Sequence, residues 1–315
     1  MSTLYTTPRG YMATIGFFDG VHLGHRHLIS QLCSEARRLG LDSMVITFDR
    51  HPRQVLCPDH APRLLTTCDD KLRLLRATGA DRIETLHFDR AMADMTASDF
   101  MRITLSERLG VSRLMIGYDN RFGHNRAEGY DDYVAYGRSI GMTVTRYEPL
   151  DVDGLRVSSS MVRRLLDAGD IATANRCLGR EYAITGRVVE GFGEGRKLGF
   201  PTANISPDHP CLLIPRNGVY AVRVTTGGIT LPAVMNIGDN PTFRRTATTL
   251  EAHLLDFHGN LYGESVHVTF DSRLRDERRF DSTEQLKAQI AHDTQAARAF
   301  YGTGHNDKSP HDTHQ

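Results

Sequence analysis

The stretch "YMATIGFFDGVHLGHRHLISQL" (residues 11–32) decides the fold of the first half of this 315-residue chain. A short apolar run ends in a turn of two glycines, an Asp and two His. "HRHLISQLCSEARRLG" then carries apolar residues at helical spacing up to a glycine stop at Gly40. The succession of strand, turn and helix repeats. "MVITFD" reads as a strand. "KLRLLRATG" reads as a helix opened by a capping box of Thr67 and Asp70 and ended by Gly79. "RIETLHF" is a strand, "FMRITLSERLG" a helix behind Thr96 and Asp99, "RLMIGYD" a strand, "YDDYVAYGRSIG" a helix and "MTVTRYEPL" a strand. The alternation predicts a Rossmann-like parallel α/β sheet with helices on both faces. Ligands on such sheets lie beyond the carboxyl ends of the strands. The polar turns at 19–25, 49–52 and 118–123 fall there.

After a helical stretch, "SSSMVRRLLDAGDIATANRCLG", the texture changes near residue 180. "YAITGRVV", "GVYAVRV", "LPAVMNI", "LEAHLLDF" and "ESVHVTF" are short strand candidates. Gly227-Gly228 and His258-Gly259-Asn260 read as hairpin turns. One helix follows from "STEQLKAQI", with Ser282 and Gln285 as its capping box. A small antiparallel β-barrel with a C-terminal helix is predicted. The expected domains are 1–179 and 180–301, followed by a polar tail at 302–315 expected to be disordered.

Composition bounds the function. The 38 basic and 38 acidic residues cancel, which argues against a broad nucleic-acid or membrane surface; only four of the basic residues are Lys (71, 197, 287 and 308). Five scattered Cys (33, 57, 68, 177, 211) form no CxxC pair, which argues against a disulfide scaffold or zinc site. No basic-then-apolar leader and no run of about 18 apolar residues is present. A soluble cytoplasmic protein is expected.

The residues of the first turn suit an anion. Gly20 and Gly24 would let backbone approach a ligand closely. His25 would stand at a helix N-terminus, where N–H groups and the dipole favour negative charge, and imidazole donors at His22 and His25 add to that. The H-x-G-H pattern resembles the signature of the HIGH-type nucleotidyltransferases, which transfer AMP or CMP. "RVSSSMVRRLL" (156–166) resembles their "ISSTxIR" element, with Ser160 in place of Thr. Its Ser hydroxyls can cap a helix, and Arg163, one turn in, can reach a phosphate. "TFDRHP" (47–52) and "GYDNRFGHNR" (117–126) accompany it. In the second half, "GRVVEGFGEGRKLGFPTANI" (186–205) is neither a P-loop nor a dinucleotide fingerprint: it lacks GKS/T and lies in a strand pattern. It resembles the flavokinase motif.

Taken in order, these stretches resemble one family, the bacterial bifunctional riboflavin kinase/FMN adenylyltransferases, from about residue 12 to about residue 295. The resemblance implies phosphorylation of riboflavin to FMN by ATP, then adenylylation of FMN to FAD with release of pyrophosphate. In the adenylyltransferase it implies catalytic His22 and His25, with Gly16, Phe17, Asp19, Gly24, Asp49, Asp119, Arg156, Ser158, Ser159, Ser160 and Arg163 on ATP or phosphate. In the kinase it implies Gly191, Gly193, Gly195, Arg196, Lys197, Gly199, Pro201, Asn236, Thr242 and Arg275 on ATP or flavin. By the same resemblance Thr202 and Asn204 hold Mg²⁺ and Glu251 is the catalytic base. Without the resemblance, a single strand Glu reads as a solvated surface residue. The expected partners are small molecules, with no nucleic acid and no membrane; the oligomeric state stays open. A pantetheine-phosphate or nicotinate-mononucleotide adenylyltransferase would share the first half but not the flavokinase-like second. A flavin-binding regulator without catalysis would not need His22, His25, Thr202, Asn204 and Glu251 together.

Overall fold

A computed structural model describes residues 10–117, 121–124, 128–147, 149–152, 154–191, 193–240 and 247–302. The chain divides into two compact units, Met1–Ser159 and Ser160–Gln315.

The first unit runs β1 (Tyr11–Ile15), α1 (Leu23–Leu39), β2 (Asp42–Phe48), α2 (Pro52–Leu56), α3 (Cys68–Arg76), β3 (Arg82–Leu86), α4 (Arg90–Ala93), α5 (Ala97–Asp99), a π-helix (Phe100–Arg108), β4 (Val111–Ile116), α6 (Tyr130–Ser139), β5 (Thr143–Arg146), β6 (Asp151–Val152) and β7 (Leu155–Arg156). The five long strands form a parallel sheet in the order β3-β2-β1-β4-β5. Helices cover both faces, so the central strands are apolar almost throughout. Met12 and Val45 pack against Leu28, Ile29 and Leu32 of α1. Ala13, Met44 and Ile46 pack on the other face against Phe100, Met101 and Leu105. The strand order turns back between β1 and β4, so the loop after β1 stands at the switch point where such sheets bind ligands.

Local signals were obeyed with two adjustments. Gly40 ends α1 with φ 69°, and Thr67 and Thr96 accept the N–H groups of Asp70 and Asp99. The helix after Thr96, however, continues in π geometry; Leu109 N–H reaches back to the Thr104 carbonyl. The two-residue strands β6 and β7, an antiparallel pair, lay below the reach of periodicity.

The second unit comprises α7 (Ser159–Ala168), α8 (Ile171–Leu178), β8 (Tyr182–Val189), α9 (Glu194–Lys197), β9 (Ala203–Pro207), β10 (Gly218–Thr226), β11 (Ile229–Asn240), β12 (Ala247–Leu254), β13 (Ser265–Arg275) and α10 (Thr283–Gly302). Six strands close into a barrel in the order β10-β11-β12-β9-β8-β13. Five of them were expected; the sixth, β9, comes from the "ANI" of the Gly-rich motif. Gly227 and Gly228, both at positive φ, make the β10–β11 hairpin, where Thr226 faces Ile229. His258-Gly259-Asn260 is not a hairpin turn: β12 pairs with β11 and β9, and β13 with β10 and β8. At α10 the Ser282 hydroxyl accepts the Gln285 N–H, while the Gln285 amide caps Asp281, one residue earlier than a capping box requires.

The compact boundary at 159/160 precedes the 179/180 change of texture. Asn175 of α8 gives the reason: it donates to the Phe270 carbonyl on β13 and accepts the Tyr182 N–H on β8. The expected tail, apart from Gly302, lies outside the described residues. Among the described residues no helix is long and apolar enough to cross a membrane.

Candidate active sites

In the first unit, the chain stays in sheet register just past β1. Gly16 N–H donates to the Ile46 carbonyl, and the Thr47 hydroxyl donates to the Phe17 carbonyl. Then it turns sharply. Phe18 has φ 56° and Val21 φ 39°. A bulky and a β-branched residue in the left-handed region are strained, and strain persists only where the surroundings impose it. Asp19 does the imposing. Its carboxylate, 3 % exposed, accepts the Leu65 N–H at 3.0 Å and the Thr66 N–H at 3.2 Å. Gly20 N–H donates to the Thr66 hydroxyl, and the Ser159 hydroxyl donates to the Asp19 carbonyl at 3.0 Å. Asp19, expected on phosphate, holds the turn through these bonds.

The turn delivers His22 to the N-cap of α1. Its Nδ1 accepts the His25 N–H at 3.3 Å. A nitrogen that accepts carries no proton, so the proton of the neutral ring is on Nε2. The His22 and His25 rings stack with centroids 3.6 Å apart, and His25 meets the Phe18 ring edge-on at 5.1 Å. A Cβ on Gly24 would come within 3.1 Å of the Val157 carbonyl and 3.2 Å of the His22 ring. The glycine expected to admit a ligand therefore admits the 157 segment and an imidazole. The stretches at 16–25 and 156–159 meet. Arg156 and Ser158 are exposed; Ser160, exposed, and Arg163, half-buried, follow on α7 in the second unit. Asp119 lies outside the described residues.

Asp49 follows β2 and accepts the Phe88 N–H at 3.0 Å and a hydrogen bond from His87 Nδ1 at 2.6 Å. Burial pushes its carboxyl up, but these partners hold it below the ordinary range. Like Asp19 it ties strand ends. Sequence reasoning passed over Lys71, which is 1 % exposed, donates to the Phe48 carbonyl at 2.6 Å and stands 3.8 Å above the Phe17 ring. The available signal was a Lys on the apolar stripe of α3, one turn before Leu75.

In the barrel unit, Leu250, Ala252 and Leu254 of β12 are buried, so Glu251 and His253 point outward. Asn236 on β11 and Asn204 on β9 stand directly opposite Glu251. Opposed residues share a face, so the three polar side chains form a row across the barrel wall. Thr202, just before β9, brings its hydroxyl 3.4 Å from the Glu251 carboxylate. The Gly-rich loop closes on this row. A Cβ on Gly191 would lie 2.0 Å from the Asn204 amide, and one on Gly195 would lie 2.4 Å from the Phe200 carbonyl. Gly193 and Gly199 turn the loop at positive φ around α9, where Arg196 and Lys197 are exposed. His253 Nδ1 holds the loop by donating to the Pro201 carbonyl at 2.8 Å.

Two cavities adjoin. One of about 360 Å³ is lined by Gly195, Thr202, Asn236, Glu251 and Arg275, with Leu286, Ile290 and Asp293 of α10. The other, of about 310 Å³, is lined by Arg196, Pro201, Thr202, Phe257, Asn260 and Tyr262. Thr202 lines both. Arg275 faces the first cavity, but its guanidinium is held by Asp293 at 2.7–3.0 Å in a pair 15 % and 5 % exposed. Asp293 was missed by sequence; its signal was a carboxylate one turn from Ala297, the other buried position of α10. Burial, with Asp239 nearby, pushes the Glu277 carboxyl up at the same cavity. Thr242 lies outside the described residues.

Comparison with known proteins matches this division. The FAD synthetase family matches residues 5–161 and the riboflavin kinase family residues 178–301. Relatives named bifunctional riboflavin kinase/FMN adenylyltransferase include that of Escherichia coli K12, 41% identical over 93% of each chain. That of Pseudomonas fluorescens is 40% identical over 93% of each chain, and that of Listeria monocytogenes 35% identical over 91% of each. A crystal structure titled a macrolide-efflux protein, from Streptococcus pneumoniae, superposes with TM-score 0.83 at 29% identity, covering 93% of this chain and 95% of that one. The chain therefore belongs to the bifunctional riboflavin kinase/FMN adenylyltransferase family, enzymes of FAD biosynthesis that join an FAD-synthetase region to a riboflavin-kinase region.

Proposed function

We propose that the barrel unit moves the γ-phosphoryl group of ATP to the 5′-hydroxyl of riboflavin, with the flavin in the cavity beside Glu251 and the nucleotide in the cavity beside Arg196. One observation carries this reading: Thr202 lines both cavities and stands 3.4 Å from Glu251. Glu251 takes the hydroxyl proton as the oxygen attacks phosphorus, and the bond to the β-phosphate oxygen breaks to leave ADP. Arg275, fixed by Asp293, sets the wall against which the flavin rests.

The residues fit Mg²⁺. Thr202 and Asn204 offer hard oxygen donors beside a carboxylate, and among the described residues no cluster of three His, Cys, Asp or Glu offers an all-protein cage. Mg²⁺ takes few protein ligands and keeps phosphate oxygens and water. Thr202 and Asn204 would hold it, and when bound it supplies neutralisation of phosphate charge.

In the first unit the FMN phosphate attacks the α-phosphorus of a second ATP and pyrophosphate leaves. The nucleophile is already an anion, so the demand is for charge stabilisation rather than a base. His22, whose Nδ1 is spent on the helix cap, offers Nε2–H; His25 stacks beside it, and Arg156 is exposed nearby in sequence to Ser159. The domains assigned to these activities are 1–179 and 180–301. The enzyme works in the cytoplasm, where cysteines that form no disulfide among the described residues suit a reducing milieu.

Chromatography after mixing the protein with riboflavin, ATP and Mg²⁺ tests the reading. FMN and FAD are both expected, and neither once Mg²⁺ is chelated. FMN alone would leave only the kinase; neither product with Mg²⁺ present would overturn the proposal.

A further inference from the structure

The first unit buries a charge that the adenylyl-transfer reading has not used. Lys71 is 1 % exposed, yet among the described residues it forms no ion pair. Its ammonium has three N–H donors. One reaches the Phe48 carbonyl at the end of β2, and the charge faces the Phe17 ring just past β1. One cation thus braces the carboxyl ends of two adjacent strands, β2 and β1, the second of which borders the switch point. Phe17 is braced from another side by the His51 ring, edge-on at 4.7 Å.

A buried ammonium without a direct ion pair is costly, and a Met of similar length would fill the space without that cost. The nearby carboxylates of Asp19 and Asp49 offset only part of that cost: they attract the ammonium through space, but neither forms an ion pair with it among the described residues. Asp19 is spent on Leu65 and Thr66, and Asp49 on Phe88 and His87. A cation without a direct ion partner, set under the turn, suits the polyphosphate of the adenylyl-transfer reading.

We propose that Lys71 is a positioning residue for adenylyl transfer, its buried ammonium holding Phe17 and the ends of β1 and β2 beneath the His22 turn and presenting positive charge to the nucleotide phosphates from behind. The inference rests on the reading of the first unit as the FMN adenylyltransferase. Titration gives it a readout. Burial, opposed by Cys68, Asp19 and Asp49, brings Lys71 down to about 8. Groups facing it are Cys68 on its own helix, whose thiol burial pushes above its ordinary range, Asp19 from the turn and Asp49 after β2; the His51 ring packs on Phe17.

The test uses the full chain with Lys71→Met and Lys71→Arg. FMN adenylylation and riboflavin phosphorylation are measured from pH 7 to 9.5 with saturating Mg²⁺. In the wild type, kcat for adenylylation should fall as pH rises through about 8, while phosphorylation does not follow it. Lys71→Met should lose roughly ten- to a hundredfold in that kcat at pH 7.5 and lack the alkaline fall, with phosphorylation kept. Lys71→Arg, whose charge persists, should move the fall upward. A wild-type kcat flat through pH 8, or Lys71→Met with normal adenylylation, overturns the proposal even if a variant fails to fold. A wild type that phosphorylates riboflavin but never adenylylates FMN overturns the adenylyltransferase reading instead.

Discussion

The Thr202 hydroxyl lies 3.4 Å from the Glu251 carboxylate, and Thr202 walls two cavities at once. In the proposed kinase mechanism this separation would bring a group lining the nucleotide cavity within reach of the group that would receive the proton in the flavin cavity. The strand register makes it so: Glu251 faces Asn204, and Thr202 precedes Asn204 by two residues.

Glu251→Gln should stop riboflavin phosphorylation and spare FMN adenylylation. The amide keeps the size and an acceptor oxygen but takes no proton at neutral pH. The kinase should fall about 10²–10⁴-fold, and FAD should still form when FMN is supplied. Unchanged phosphorylation by a stable variant would remove Glu251 from the role of base.

The two histidines should separate by substitution. His22→Asn keeps an N-cap acceptor, so its melting temperature should stay near wild type, whereas His22→Ala should lose about 1 kcal/mol of stability. Both, and His25→Ala, should lose roughly 10²–10³ in FAD formation while FMN accumulates, by analogy with the loss of an oxyanion donor. Full FAD output from His25→Ala would refute its assignment.

Asp293→Ala should loosen α10 from the barrel. It strands the Arg275 guanidinium in a largely buried place, at a cost of about 3 kcal/mol by chemical denaturation. The KM for riboflavin should rise while adenylylation holds. A stable variant with unchanged riboflavin KM would mean that the pair does not shape the cavity.

A fragment of residues 160–302 should fold alone and phosphorylate riboflavin. One starting at 180 should be less stable, because it forfeits the two hydrogen bonds of Asn175 and the buried Ile171, Ala174, Cys177 and Leu178. Equal melting temperatures for the two would show that α8 adds nothing.

Stability and rate should move in opposite directions at alkaline pH. Lys71 binds its proton less tightly folded, at about 8, than unfolded, at 10.5. Between those values the unfolded chain holds more protons, so folding gains stability as pH rises. Measured against Lys71→Met, the wild type should grow relatively more stable from pH 8 to 10, even as its adenylylation slows. A charge serving stability alone would leave the rate untouched.

The first unit was legible because its buried strands are apolar in runs and its caps are local: Gly40, Thr67 and Thr96 act within one helical turn. β9 was hidden because its residues also make the Gly-rich motif, and chemistry masked a strand. The hairpin expected at 258–260 failed because a turn sequence fixes a reversal, not which strand receives the chain. Asp19 and Asp49 were placed on phosphate by the resemblance; the acceptor duties that the structure adds, to N–H groups 46 and 39 residues away, have no local signature. Lys71 and Asp293 were missed for the same reason: each is defined by a partner on another element.

β9 places Asn204 beside Glu251 and also closes the cylinder between β8 and β12. A lineage that ceased to need the kinase could not discard this segment freely. Its deletion would bare two unpaired strand edges, each a template for joining another chain. Selection against aggregation would then preserve the motif's backbone after selection for activity had lapsed, while point changes at Thr202 or Asn204 accumulated within it.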